Sequence, residues 1–342
     1  MSTTLYVSHD FNKHPDDFHS IQEAINSISK ENKERVTIFI RKGSYEEKLT
    51  IDRPFLTLEG EDPKETILTY SDHATQVMED GSNRGTFRTA SVFVDTHDFT
   101  AKNLVFENAA GFGRLVGQAL ALYVDGDRII FDNCTFLGSQ DTLFTGPLPP
   151  TAFKKGGFTG PKEFAPRING RHYYHNCFIR GDVDFIFGSA TAYFENCEIF
   201  SQKTDEEPAA TDLANQKCYG YVTASSTAEG QEYGYVFESC KLTSNCPKGS
   251  VYLGRPWRNF AKTVYLNCEL GAHIKEEGWH DWNKPEAHST ILYAEYNSTG
   301  EGAEGFLAGK RAPFAKTLTE SDLPHYTKAA VLSGTDGWKA EI

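Results

Sequence analysis

The stretch "NCTFLGSQDTLF", residues 133–144, returns in altered form as "NCFIRGDVDFIF", residues 176–187. Aligned on their cysteines, the two lines place Asp141 and Asp184 at the same point of a repeat. Related lines, each with an apolar pair, a polar residue, a small residue and another apolar run, centre on Asn108, Asn133, Asn176, Asn196, Ser239 and Asn267. Self-similarity at one or two units of roughly 20–25 residues is typical of a solenoid.

The repeated unit is rich in Val, Ile, Phe, Tyr and Thr in short runs and has no helical periodicity, which predicts strands. A coil of three short strands indicates an all-β fold, a parallel β-helix. In such coils the Asn side chains can stack at a turn, while cysteines and aromatic rings stack inside. A leucine-rich repeat is excluded because the Leu-dense consensus is absent.

The whole chain, residues 1–342, fits a single β-helix domain. An amphipathic pattern predicts a helix over about 17–30 that caps the N-terminal end of the solenoid. Pro- and Gly-rich sequence over about 145–170, and polar, acidic sequence over about 201–217, predict two protruding loops.

Composition limits the partners. A net charge of −13 and a pI near 5.3 argue against binding nucleic acid or an anionic membrane surface. No apolar stretch of membrane-spanning length and no secretion signal is visible, so the sequence by itself predicts a cytoplasmic protein, unless a signal was removed. The cysteines lack zinc-site spacing and resemble small buried hydrophobes of a repeat, so we expect neither a structural metal nor a disulfide framework.

The paired acids are the main chemical signal. If the 145–170 loop projects outward, Asp141 and Asp184 lie on neighbouring coils, with Cα atoms roughly 4.8 Å apart. Two carboxylates this close favour one protonated and one ionised group, which is the division of labour in acid/base or nucleophilic catalysis. From the repeat alone, a solvated acidic patch or a calcium site stays open as an alternative.

Polar residues near the pair favour catalysis. Gln118 and Gln140 are neutral amides that could donate hydrogen bonds to a developing oxyanion, although an isolated Gln is usually a surface residue. In "YLGRPWRN", residues 252–259, Arg255 could orient one acid and keep it ionised, although a lone Arg most often makes a surface ion pair. Trp257 beside it offers a flat apolar face for a sugar ring.

At this point the sequence resembles a known family. "GSYEE" (43–47), "GQALAL" (117–122), "GSQDTLF" (138–144), "DVDFIFG" (182–188), "LGRPW" (253–257) and "YAEYNSTGEGA" (293–303) look like the successive signature blocks of pectin methylesterases, or pectinesterases. Each block alone is a weak signal, but six blocks in the family's order extend over nearly the whole chain.

The resemblance implies a right-handed, single-stranded parallel β-helix that hydrolyses the C6 methyl esters of homogalacturonan to methanol and pectate, without a metal or another cofactor. It implies that Asp184 is the nucleophile and Asp141 the general acid and then base. Gln118 and Gln140 would form the oxyanion hole, with Arg255 bonded to Asp184. The sugar groove would be lined by Trp257 and, through the block "GWHDW", Trp279, together with Phe87 and Tyr123.

The expected partner is methylesterified pectin or its oligogalacturonides, with no nucleic acid, no membrane and a monomeric chain. The loop after "QDTLF" is longer than expected for the family, so we hypothesise that it closes one end of the groove and favours short or chain-end substrates. The missing signal departs from a family that is usually exported and fits an intracellular enzyme acting on imported oligomers. A pectate lyase, a polygalacturonase, an inactive carbohydrate-binding or fibre-forming β-helix, and activity on an acetyl ester remain alternatives.

Overall fold

Three long parallel sheets wind around one core in the computed structural model, which describes residues 3–10, 12–204, 210–211 and 217–342. The chain passes from sheet A to sheet B to sheet C and back to sheet A, one coil further on, and strands of successive coils pair in parallel register. The predicted all-β, parallel β-helix is therefore confirmed.

Strands are numbered in chain order. Sheet A contains β1 Thr3–Val7, β2 Val36–Ile40, β5 Leu56–Gly60, β8 Thr100–Lys102, β11 Ile129–Asp132, β14 Arg171–His175, β17 Thr191–Glu195, β22 Tyr235–Glu238, β25 Lys262–Leu266, β27 Leu292–Tyr296 and β28 Lys316–Thr317. Sheet B contains β3 Gly43–Glu46, β6 Thr66–Tyr70, β9 Val105–Asn108, β12 Thr135–Leu137, β15 Phe178–Gly181, β18 Glu198–Ser201, β23 Lys241–Ser244 and β26 Glu269–Leu270. Sheet C contains β4 Leu49–Ile51, β7 Val92–Val94, β10 Leu122–Val124, β13 Leu143–Thr145, β16 Val183–Gly188, β21 Gly220–Ser225 and β24 Val251–Gly254.

The remaining elements are short. The α-helices are α1 Ile21–Asn26, α2 Gly113–Val116, α3 Glu304–Leu307 and α4 Lys328–Leu332, and 3₁₀ turns lie at Thr86–Arg88, Pro285–Ser289, Glu301–Ala303 and Leu323–Tyr326. An antiparallel pair joins β19 Ala210–Thr211 to β20 Lys217–Cys218. Most of the predicted 201–217 loop lies outside the described residues. None of the helices in the described ranges is long and apolar enough to cross a membrane.

The helix predicted over 17–30 is α1, and only its central six residues are helical. The Glu47 carboxylate accepts hydrogen bonds from the backbone N–H groups of Ile21 and Gln22, at 3.0 and 3.1 Å, which satisfies donors that a helix start leaves unpaired. Ile21, Ala24 and Ile25 are buried against the first strands of the β-helix.

The turn between sheets A and B repeats in every central coil and explains the recurring Asn. The residue at the corner of this turn has a left-handed backbone, with φ of 53° at Asn103, 52° at Asn133 and 50° at Asn176. Asn adopts this conformation at low cost. The Asn133 side chain donates to that of Asn103 at 2.6 Å. The sequence alignment at Asn108 was wrong, since Asn103 occupies this position and Asn108 ends β9, donating to backbone carbonyls.

The core consists of side-chain ladders with one rung per coil. Rings of Phe131, Tyr174, Phe194, Phe237 and Tyr265 stack with centroids 4.4–5.0 Å apart. Beside them runs a ladder of buried free thiols, contributed by Cys134, Cys177, Cys197, Cys240 and Cys268. Stacked, desolvated rungs fix the coils relative to one another, and this fixed spacing positions the residues on the outer face of sheet C.

Candidate active site

The two repeated aspartates lie side by side on the outer face of sheet C. Leu143 of β13 pairs with Ile186 of β16, which puts Asp141 level with Asp184 on the next coil. The Asp141 N–H donates to the Val183 carbonyl at 3.0 Å. Both aspartates have a left-handed backbone, with φ of 63° and 53°, and non-Gly residues held in this conformation cluster at functional sites.

Arg255 fixes the Asp184 carboxylate. It follows β24, two coils beyond Asp184, and its Nε and Nη2 donate to the two carboxylate oxygens at 2.8 and 2.7 Å. The guanidinium carbon lies 3.8 Å from the centre of the Tyr221 ring and 3.7 Å from that of the Trp282 ring. A bidentate fork between two aromatic faces holds the cation rigidly, and this fixes the orientation of the Asp184 carboxylate.

Asp141 has no such partner. Burial, and after it the negative charge of Asp184, raise the pKa of Asp141 well above the ordinary carboxyl value, and Arg255 opposes this shift only in part. The pair is therefore asymmetric: Asp141 favours its protonated form, whereas the Asp184 carboxylate is held by the Arg255 fork.

A third aspartate braces the backbone around the pair. Asp182 is 1% exposed and accepts hydrogen bonds from the Ser139 hydroxyl at 2.5 Å and the Val183 N–H at 2.6 Å. Ser139 in turn accepts from the N–H of Gly113 at 3.0 Å, which ties α2 to both acid-bearing coils. The sequence analysis missed Asp182, although it stands two residues before Asp184 in the same block.

Gln118 and Gln140 come together beside the acids. The Ala119 N–H donates to the Gln140 carbonyl at 3.2 Å, so the two glutamines lie on neighbouring coils. The glycine at position 113 lets α2 pack against Gln140, because a Cβ atom on residue 113 would lie only 2.3 Å from the Cβ atom of Gln140. Neither glutamine amide hydrogen-bonds another side chain or backbone group in the described part of the chain, so both are available as donors.

These groups open into a recess of about 360 Å³ that combines the acids, the amides, a cation and aromatic rings. Of the residues predicted from sequence, its lining includes Asp141, Asp184, Gln118, Gln140, Arg255, Phe87 and Trp257. It also includes residues that the sequence analysis did not single out, namely Phe153, Phe158, Phe187 and Trp282.

Two predicted groove residues lie elsewhere. Trp279 is 2% exposed and stacks on Tyr293 inside the core, with centroids 4.3 Å apart, so Trp282 is the member of "GWHDW" that reaches the recess. Tyr123 is fully buried beneath Phe87, with ring centroids 6.0 Å apart, and borders a separate cavity of about 280 Å³. Both side chains support the site from behind and do not line it.

The fold and the recess define a single-chain parallel β-helix protein with a carboxylate pair and an aromatic recess on the outer face of one sheet. A model of the pectinesterase family matches residues 7–148 and 157–335. Pectinesterase QRT1 of Arabidopsis thaliana is 34% identical over 326 residues, covering 93% of this chain and 75% of the relative. Pectinesterase 31 of the same plant is 33% identical, covering 91% and 87%.

Solved structures of pectin methylesterases superpose on nearly the whole chain. Pectin methylesterase PemA from Erwinia chrysanthemi superposes with a TM-score of 0.78 at 28% identity, covering 100% of this chain and 99% of the other. The carrot pectin methylesterase gives a TM-score of 0.79 at 27% identity, covering 98% and 95%. The chain belongs to the pectinesterase family and is an enzyme of this type, and the predicted right-handed parallel β-helix is confirmed.

Proposed function

We propose that the protein hydrolyses the C6 methyl esters of homogalacturonan, in pectin or its oligogalacturonides, to methanol and free carboxylate. The observation that carries the proposal is the asymmetry of the acid pair: Asp184 is held by a bidentate Arg255, and the adjacent Asp141 is buried without a cation of its own. Solved relatives include a pectin methylesterase in complex with a hexasaccharide, which supports pectin and its oligosaccharides as the substrate class.

In the first half-reaction, a carboxylate oxygen of Asp184 attacks the ester carbonyl carbon, and the carbonyl electron pair moves onto oxygen. The free amide N–H groups of Gln118 and Gln140 stabilise this oxyanion. When the tetrahedral intermediate collapses, the bond to the methoxy oxygen breaks and Asp141 gives that oxygen its proton, so methanol leaves and an acyl anhydride on Asp184 remains.

In the second half-reaction, Asp141 is ionised and takes a proton from water as the water oxygen attacks the sugar acyl carbon. The anhydride bond to Asp184 breaks, and its electrons return to the Asp184 carboxylate, which Arg255 stabilises as a good leaving group. The product is a galacturonate carboxyl group. Asp141 ends protonated and Asp184 ionised, as they began.

The test is methanol release from highly methylated pectin in the presence of EDTA, comparing the wild type with Asp184→Asn. Asp16→Asn, at an exposed position, serves as a matched control, and circular dichroism establishes equal folding. We expect chelator-resistant release that Asp184→Asn abolishes and the control retains. Absence of methanol from the folded wild type would reject the proposal.

A further inference from the structure

The segment between β13 and β14, residues 146–170, lies across the outside of sheet C. At one end, Arg258 Nη2 donates to the Thr151 carbonyl at 2.8 Å. Toward the other end, Lys162 Nζ pairs with Asp95, just past β7, at 2.6 Å. The segment therefore extends from the flank of the recess beside β24 to the flank beside β7.

Phe158 fills the space between these two flanks. Its ring meets Phe87 edge-on with centroids 5.6 Å apart, and it meets Trp257 in the same way at 6.1 Å. Below them, Phe144 and Phe187 are 0% and 4% exposed on the outer face of the sheet. Asp141 lies just before β13, and Asp184 lies near the start of β16. Phe144 and Phe187 come later along the same two strands, so the segment closes the recess on the side toward which the strands run.

The segment is braced as a fixed wall. Arg167 donates to the carbonyls of Pro149, Lys162, Glu163 and Ala165 at 2.6–3.2 Å, which joins both arms of the segment. At the rim, the guanidinium carbon of Arg258 lies 3.6 Å from the centre of the Phe153 ring. Residues 149–156 of this wall are not matched by the family model, which fits the sequence on either side of them.

We propose that this wall makes the recess a site for short methylated oligogalacturonides and chain ends, in place of the interior of a long polymer. A bound chain cannot pass through the space occupied by Phe158, so the wall restricts how a long polymer can lie across the recess. The recess volume of about 360 Å³ is near the lower end for ligand sites, which fits a short substrate. The inference rests on the proposed esterase activity.

The experiment compares kcat/KM per ester for methylated trigalacturonide and highly methylated pectin. The variants are Phe158→Ala, a replacement of residues 147–166 by a short Gly-Ser link, and Phe153→Ala, whose side chain is on the rim and 71% exposed. Phe164→Ala, in the same segment but 93% exposed and outside the recess, is the matched control. A fully methylated hexagalacturonide is treated with the enzyme for a short time, and mass spectrometry then locates the first ester removed.

We expect the kcat/KM of the wild type to be about tenfold or more higher for the trimer than for pectin, and the first ester removed to be on a terminal unit. Phe158→Ala or the loop replacement should reduce this preference severalfold. Phe153→Ala, which does not depend on a buried side chain, should reduce it in the same direction, and Phe164→Ala should not. Equal wild-type rates on both substrates, or an unchanged ratio in the folded variants, would overturn the inference while leaving the esterase intact. No methanol from either substrate would instead reject the proposed function.

Discussion

Replacing Arg255 by Leu removes the only cation that hydrogen-bonds Asp184 among the described residues. Two charge-assisted hydrogen bonds at 2.7–2.8 Å disappear, and the Asp184 carboxylate, 6% exposed, remains beside Asp141. Removing one partner of a buried ion pair costs about 3–5 kcal/mol. The Asp184 carboxylate then loses both the fork that orients it and the positive charge that stabilises it as a leaving group.

The free-energy penalty translates into a rate. If about 3–5 kcal/mol of stabilisation of the Asp184 carboxylate is lost from the transition state, kcat/KM falls by about 10²–10⁴-fold. Arg255→Lys keeps a positive charge but loses the fork and the flat cation between Tyr221 and Trp282. We expect it to lie between the wild type and Arg255→Leu.

The assay is initial methanol release from methylated trigalacturonide at neutral pH, with circular dichroism and thermal melts to establish folding. Lys310→Gln, which removes one positive charge from an exposed pair with Glu276, is the charge-matched control and should behave as wild type. A folded Arg255→Leu within tenfold of the wild type, or an equal loss in Lys310→Gln, would refute the reasoning.

Three further predictions concern stability. Because the pKa of Asp141 is raised, the folded state binds its proton more tightly than the unfolded chain, so the free energy of unfolding falls as pH rises above about 4. Asp141→Asn should therefore melt higher than the wild type at pH 7, melt with it at pH 3, and release no methanol. An equal gain in melting temperature at both pH values would contradict this. At Asn176, with φ of 50°, Ala should lower the free energy of urea unfolding by about 1 kcal/mol and Gly by less; equal losses would argue against turn strain. Glu295 is 1% exposed and paired with Arg311 at 2.7 Å, so Arg311→Met should cost about 3–5 kcal/mol in urea unfolding. Adding Glu295→Leu should recover much of that loss, and no recovery would show that packing, not the unpaired charge, sets the cost.

The repeat made the fold predictable because each coil is formed by residues that are close together in the sequence. Strand composition and a recurring Asn-Cys pair mark each coil, and coils of a solenoid contact mainly their neighbours. Aligning Asp141 with Asp184 therefore also aligned them in space. The first of the six repeat lines was misaligned because "AKNLVFEN" contains two asparagines, Asn103 and Asn108, and only the backbone conformation identifies the turn.

The aromatic lining was less predictable, because side-chain direction depends on the path of the chain. "GWHDW" contains two Trp residues three positions apart, and the sequence alone does not tell which one faces outward. The left-handed backbone at Trp282, with φ of 54°, turns that ring onto Arg255, while Trp279 enters the core. The position of Phe158 in the recess was equally unpredictable, since a Pro- and Gly-rich segment has no periodicity that indicates which side chain packs against the sheet.

The position of Arg255 along the chain has a consequence during synthesis. Its contact with Asp184 spans 71 residues and joins strands that are two coils apart. A chain emerging from the ribosome can stack the coils that carry Asp141 and Asp184 before Arg255 has been translated. Such a nascent chain would contain the carboxylate pair without its cation, so full activity requires that the coil carrying Arg255 has been made and has docked.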